Sequence, residues 1–163
     1  EVSNPAEVAV AANLNAPDQT VLSGDPPAVA RAGEACRAAG AKRVLPLKVS
    51  GAFHSPLMQP AVSGLTEALA SVAMTEPLIP VVANASATLV TSAAEARRRL
   101  AEQLTVPVRW VECVKRAAAV APGATFVEVG PGSVLSGLVR RILPEAKTVT
   151  LGTADEVEQF LKS

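Results

Sequence analysis

The sequence predicts an α/β protein whose sheet is mostly parallel and covered by helices on both faces. Three observations carry this. From residue 50 onward, short runs of small and β-branched residues alternate with helical patterns, the rhythm of crossover-connected parallel strands. The first fifty residues break that rhythm and read β-β-α-β. Finally, hydrophobic types make up 49% of the 163 residues and charged types 18%, which is enough apolar side chain for a sizeable core and far from a disordered composition.

Residues 8–12, Val-Ala-Val-Ala-Ala, form the first predicted strand. Asn13 to Asp18 reads as a turn, and residues 20–24 as the second strand of a hairpin. Asp25-Pro26-Pro27 starts a helix, with Asp25 as cap and the prolines in the first turn. Val29, Ala32, Cys36 and Ala39 share one face of it, and Gly40 stops it. Residues 43–49 make a third strand, where Pro46 marks an edge or an irregularity. This β-β-α-β order is that of a ferredoxin-like βαββαβ unit lacking its first strand and helix, so the chain is expected to begin inside a larger structure.

Ser55-Pro56 then opens a helix bearing Leu57, Met58, Val62, Leu65, Leu69 and Val72 at three- and four-residue steps. Residues 80–84 are a short buried strand. Residues 93–104 are a helix whose Arg97-Arg98-Arg99 run, with Glu95 and Glu102, reads as a solvated face. Residues 108–121 are a further helix and residues 125–129 a strand. Gly130-Pro131-Gly132 turns that strand into a helix over 133–142, with Ser133 as its cap; a strand over 148–151 and a helix over 155–161 follow. The change of rhythm after Val49 divides the chain into residues 1–49 and residues 50–163.

Fifteen basic residues balance fifteen acidic ones, and one Trp with three Phe supplies few stacking platforms, so nucleic acid is not an expected partner. Charges or prolines interrupt every apolar run before the ~20 residues a bilayer requires. Glu1-Val2-Ser3-Asn4-Pro5 lacks the basic start and apolar block of a secretory signal, and a cytoplasmic location is expected. Cys36 and Cys113 stand far apart with no CxxC and a single histidine in the chain, so they read as reduced, mostly buried thiols with no metal site.

That histidine, His54, is the main candidate for chemistry. It lies in Val49-Ser50-Gly51-Ala52-Phe53-His54-Ser55-Pro56-Leu57-Met58, between a strand end and a helix start, where open α/β sheets gather ligands. Imidazole exchanges protons near neutral pH, whereas a structural histidine near a helix cap needs no such chemistry. No nucleophile accompanies it. The chain has no G-x-S-x-G, Ser50 and Ser55 flank His54 too closely, and the Gly-Pro-Gly turn lacks a dinucleotide fingerprint's third glycine. Two rival readings stand beside catalysis by His54: a non-catalytic ferredoxin-like and α/β binding module, and a serine hydrolase using Ser133 or Ser136.

The His54 segment resembles the histidine motif of malonyl-CoA:acyl carrier protein transacylases. Three more blocks match that family in order: Asn13-Leu14-Asn15-Ala16-Pro17-Asp18-Gln19-Thr20, residues 81–84 through Gln103 to Trp110, and Glu128-Val129-Gly130-Pro131-Gly132-Ser133. The resemblance implies an α/β-hydrolase-like acyltransferase with an inserted ferredoxin-like subdomain, represented by its C-terminal part. It implies a ping-pong transfer of malonyl from malonyl-CoA to the phosphopantetheine thiol of an acyl carrier protein, in fatty-acid or polyketide synthesis, with no cofactor or metal. The serine and a carboxylate-binding arginine are then expected in a missing N-terminal half, a third partner of this chain. His54 becomes general base and acid, with a backbone carbonyl near Gln103 as its orienter. Asn84 is expected among the substrate-binding residues, either bonding the His54 loop or capping the sheet, Asn15 and Gln19 are expected to touch the pantetheine arm, and Phe53 to select malonyl over branched units. Lys42, Arg43 and Lys48 are expected to dock the acidic carrier protein.

Overall fold

A computed structural model describes residues 7–162. Strand β1 (Ala9–Ala16) and β2 (Gln19–Gly24) form the expected antiparallel hairpin. The strand runs on through 13–16, where Asn and Pro composition suggests a turn. Its backbone is claimed there by two partners: β2 on one edge, and Val108 on the other, with Leu14 N–H donating to the Val108 carbonyl at 2.9 Å and Val108 N–H to the Ala12 carbonyl at 2.8 Å. Two bulges let Ala9, Ala12 and Ala16 all face inward, and such small side chains admit helices close to the strand.

Helix α1 (Pro26–Ala38) ends as expected, with Gly40 at φ +96° while Gly40 and Ala41 N–H close back on the Arg37 and Cys36 carbonyls. Its start differs. Asp25 carries no side-chain cap bond; its carboxylate instead accepts from Val8 N–H at 2.8 Å, and its own N–H donates to the Val8 carbonyl at 2.8 Å. The buried face is Ala28 and Gly33 rather than the stripe through Cys36, which is exposed, because the helix packs through its smallest residues. Residues 43–49 form no strand. Val44 packs its Cγ1 on Gly33 and its carbonyl takes Arg37, but Leu45, Leu47 and Val49 stay exposed, with Pro46 removing an amide from the ladder a strand would need.

A 3₁₀ turn (Pro56–Met58) leads into α2 (Gln59–Ser71), which packs on α3 (Ala93–Glu102). Arg97 is not a solvated residue: its guanidinium donates to the Leu69 and Val72 carbonyls at the end of α2, at 3.1 and 2.9 Å. Arg99 is also drawn in, between Glu95 and Glu102, so only Arg98 fits the solvated face. Strand β3 (Val81–Val82) pairs antiparallel with β4 (Leu89–Val90), and Val81 is exposed where a buried strand is predicted.

Helix α4 (Trp110–Val120), strand β5 (Phe126–Val129), helix α5 (Val134–Ile142), strand β6 (Thr148–Leu151) and helix α6 (Ala154–Leu161) complete the chain close to their predicted places. The β5–β6 pair is parallel and crossed over through α5, the α/β unit that the alternating pattern implies. Val114, Val139 and Ile142 centre the core, against Trp110, Phe126 and Leu143. No helix among the described residues is long and apolar enough to cross a membrane.

Candidate active site

The site begins with the end of α3. A helix leaves its last carbonyls without intrahelical partners. Here Gln103 caps α3, and its carbonyl and that of Leu104 both turn to the loop carrying His54. His54 N–H donates to the Leu104 carbonyl at 3.0 Å, and ring Nδ1 lies 2.8 Å from the Gln103 carbonyl. A carbonyl only accepts, so Nδ1 carries a proton, and in the neutral ring Nε2 is then the nitrogen that holds the lone pair. The Gln103 side-chain amide, 3.4 Å from Nδ1, donates instead to the Val106 carbonyl at 3.0 Å, since a protonated Nδ1 has no lone pair for it. His54 and Gln103, the two predicted catalytic residues, therefore meet, through the main chain of Gln103.

His54 has φ +61°, a left-handed conformation uncommon for a residue with a Cβ. Backbone of this kind persists where the surroundings over-determine it, and two anchors on residues 103–104 do so here. Phe53, beside it, is 49% exposed with its ring over Gly51, where an added Cβ would lie 3.0 Å from Phe53 Cε2. It is thus no core aromatic.

The segment after Gln103 ties the remaining elements to this loop. Val108 bridges β1, and Arg109 N–H donates to the Asn84 carbonyl at 3.0 Å, while no hydrogen bond among the described residues links Asn84 to the His54 loop. Asn84 lines an apolar cavity of about 220 Å³ together with Trp110, Cys113 and Leu135. His54 is not in its wall, and this cavity is separate from the imidazole. Cys113 is buried there and burial pushes its thiol above the usual range.

Gln19 and Asn15 do not approach His54 through any hydrogen bond among the described residues. Gln19 Oε1 accepts from Arg141 at 2.6 Å, and the same guanidinium pairs with Asp18, clasping the hairpin tip to α5. Arg141 holds the Asp18 carboxyl below the usual carboxylate range, with Lys42 a smaller contributor. Lys42, Arg43 and Lys48 are all exposed along the 41–50 segment. Ser133 stands at the N-cap position of α5 as expected but makes no side-chain cap bond. The Glu128 carboxylate supplies it across the Gly-Pro-Gly turn, accepting from Leu135 N–H at 3.0 Å and Ser136 N–H at 2.7 Å, and the Ser136 amide holds its carboxyl low. Ser136 is 2% exposed, and neither serine bonds His54 among the described residues. No group of three metal-ligating side chains occurs among the described residues.

Sequence reasoning missed Leu104, Arg141 and Glu128. The first two act across 50 and 123 residues, where no local pattern reports them. Glu128 had a signal, an acidic residue one tight turn before a helix.

The family model for the acyl transferase domain matches residues 2–158. The chain is 41% identical over 153 residues to the malonyl CoA-acyl carrier protein transacylase of Bacillus subtilis, covering 93% of this chain and 48% of that protein. It is 45% identical over 143 residues to the protein of that name from Salmonella typhimurium, covering 88% and 46%. An acyl carrier protein S-malonyltransferase from Vibrio cholerae superimposes with a TM-score of 0.90 at 38% identity, covering 96% of this chain and 51% of that one. A malonyl-transacylase solved in complex with a type II PKS acyl-carrier protein does so with a TM-score of 0.90 at 38% identity, covering 98% and 52%. The chain spans about half the length of the relatives it matches. On the family match across nearly its whole length, and with a partial α/β acyltransferase fold, the chain belongs to the acyl transferase domain family.

Proposed function

We propose that this chain carries the acid–base part of a malonyl-CoA:acyl carrier protein transacylase. The observation that carries the reading is the His54 Nδ1–H bond to the Gln103 carbonyl, which leaves Nε2 basic. The nucleophile is a serine on a G-x-S-x-G elbow outside residues 1–163, in the part of the relatives this chain does not match. Nε2 takes the serine proton as its oxygen attacks the malonyl thioester carbonyl. The C–S bond breaks and the imidazolium protonates the departing CoA thiolate. In the return half-reaction Nε2 takes the proton of the carrier's phosphopantetheine thiol, the sulfur attacks the malonyl ester, and the proton returns to the serine. The imidazolium formed in each half sits against the carbonyl end of α3, the pole of a helix that favours a cation. Backbone amides near the serine stabilise the oxyanion.

No metal or cofactor enters these steps, and fatty-acid and polyketide carriers present the same thiol. Phe53 is the specificity element beside the base, Asn84 belongs to the substrate-binding residues, and Asn15 and Gln19 contact pantetheine. Residues 1–49 belong to the inserted small subdomain, residues 50–163 to the large one, and the protein acts in the cytoplasm. Mass measurement after incubation with malonyl-CoA tests the reading. The 163-residue chain alone should stay unmodified. Adding an N-terminal half that bears the elbow should give a malonyl adduct on that half, lost with His54→Ala. An adduct on this chain alone, or an adduct indifferent to His54, overturns it.

A further inference from the structure

Ser55 is 0% exposed, the most enclosed polar side chain among the described residues, and the proposed reaction leaves it unused. A hydroxyl taken out of water is costly unless its bonds are met. Here they are. Ser55 Oγ donates to the Ala52 carbonyl at 2.6 Å and accepts from Leu57 N–H at 3.3 Å, while the Ser55 carbonyl accepts from Met58 N–H at 3.1 Å. The first bond closes residues 52–55 into a tight loop with Phe53 and His54 at its tip. The other two fix that loop to the 3₁₀ turn. His54 is the residue in this loop with a left-handed backbone, and its N–H and Nδ1–H reach two adjacent carbonyls at once. Such a two-point seat tolerates little rotation of the loop.

We propose that Ser55 is a positioning residue for His54: its hydroxyl holds the left-handed turn, and through it the aim of Nδ1–H at Gln103. The inference rests on the reading of His54 as general base. A serine that only caps the 3₁₀ turn would protect Leu57 and leave the imidazole indifferent, so the two roles differ in what they move.

The chain contains one histidine, and ¹⁵N spectra of the labelled 163-residue protein therefore show one imidazole. In the wild type the neutral ring should be protonated at Nδ1. Ser55→Ala should shift it toward the Nε2–H form and speed exchange of the His54 amide by about tenfold, the equivalent of one lost buried hydrogen bond. Ser55→Cys, which fills the same space with a weaker hydrogen-bonding group, should move both readouts in the same direction and serves if the alanine variant does not fold. An unchanged tautomer and His54 amide in either folded variant, or faster exchange at Leu57 alone, overturns the proposal. A wild-type ring protonated at Nε2 refutes the base assignment instead, and the Ser55 role is then still decided by the His54 amide.

Discussion

Gly24→Ala is the sharpest test of how the hairpin is held. Gly24 ends β2 at φ +150°, a conformation that side chains rarely adopt. A Cβ built there lies 1.9 Å from the Val8 carbonyl oxygen, 2.7 Å from its carbon and 2.9 Å from Ala9 Cα, all rigid backbone. Relief requires the two backbones to part by more than ~1 Å, given the 3.0 Å below which real Cβ contacts essentially do not occur. That motion breaks the reciprocal Val8–Asp25 pair, whose bonds are both 2.8 Å. Two hydrogen bonds at about 1 kcal/mol each, with about 1–3 kcal/mol of backbone strain, put the loss at about 3–5 kcal/mol. Urea titration of the wild type and variant, compared at constant m-value, measures it. A difference below about 0.5 kcal/mol, the usual range of a surface substitution, would refute the argument.

Three further outcomes follow from the site and its surroundings. Glu128→Gln should lower Tm near neutral pH by weakening the cap on α5; because the Glu128 carboxyl is held low in the folded state, its contribution is present above the ordinary carboxylate range and is lost as pH falls through the folded value, so the wild-type and variant melts should converge in acid once that carboxyl is protonated. Equal melts at neutral pH would show that the cap does nothing. Phe53→Ser, in enzyme completed with the N-terminal half, should raise transfer of methylmalonyl relative to malonyl by about tenfold or more, the scale of one methyl's discrimination in a pocket; an unchanged ratio removes Phe53 from specificity. Charge reversal at Lys42 and Arg43 should slow transfer to the acidic carrier at low salt and matter less as salt rises, whereas an equal effect at every ionic strength would point away from docking.

The parts legible in the sequence are those set by local pattern. Helices α3 to α6 and strands β5 and β6 carry their own periodicity, and the Gly40 stop of α1 followed from glycine's freedom at positive φ. What escaped was set by partners distant in the chain. Residues 13–16 look like a turn yet become strand because β2 pairs along them and Val108 bridges Asn13 from the other edge. Residues 43–49 look like a strand, but no ladder forms beside them in the described residues. Arg97 sits in a run of three arginines that reads as solvated, until α2 presents the carbonyls of Leu69 and Val72 to it. Among site residues, the type and place of His54 were readable, whereas its second anchor on Leu104 was not.

That contrast bears on how the proposed base can wait for its nucleophile. Among the described residues, the groups that orient the imidazole come from residues 51–58 and 103–106: one loop, one helix end and the main-chain carbonyls of Ala52, Gln103, Leu104 and Val106. Main-chain acceptors make this seat depend on the course of the backbone more than on side-chain identity, so Gln103→Ala leaves the acceptor of Nδ1–H in place and removes only the brace to Val106. A carboxylate orienter in the same position would attract the protonated ring more strongly but would itself need a buried charge to be satisfied. The helix end meets the same need with groups that are already short of partners. The seat of the His54 ring is therefore assembled from residues of this chain, and on the proposed mechanism pairing with a serine requires only that Nε2 be approached.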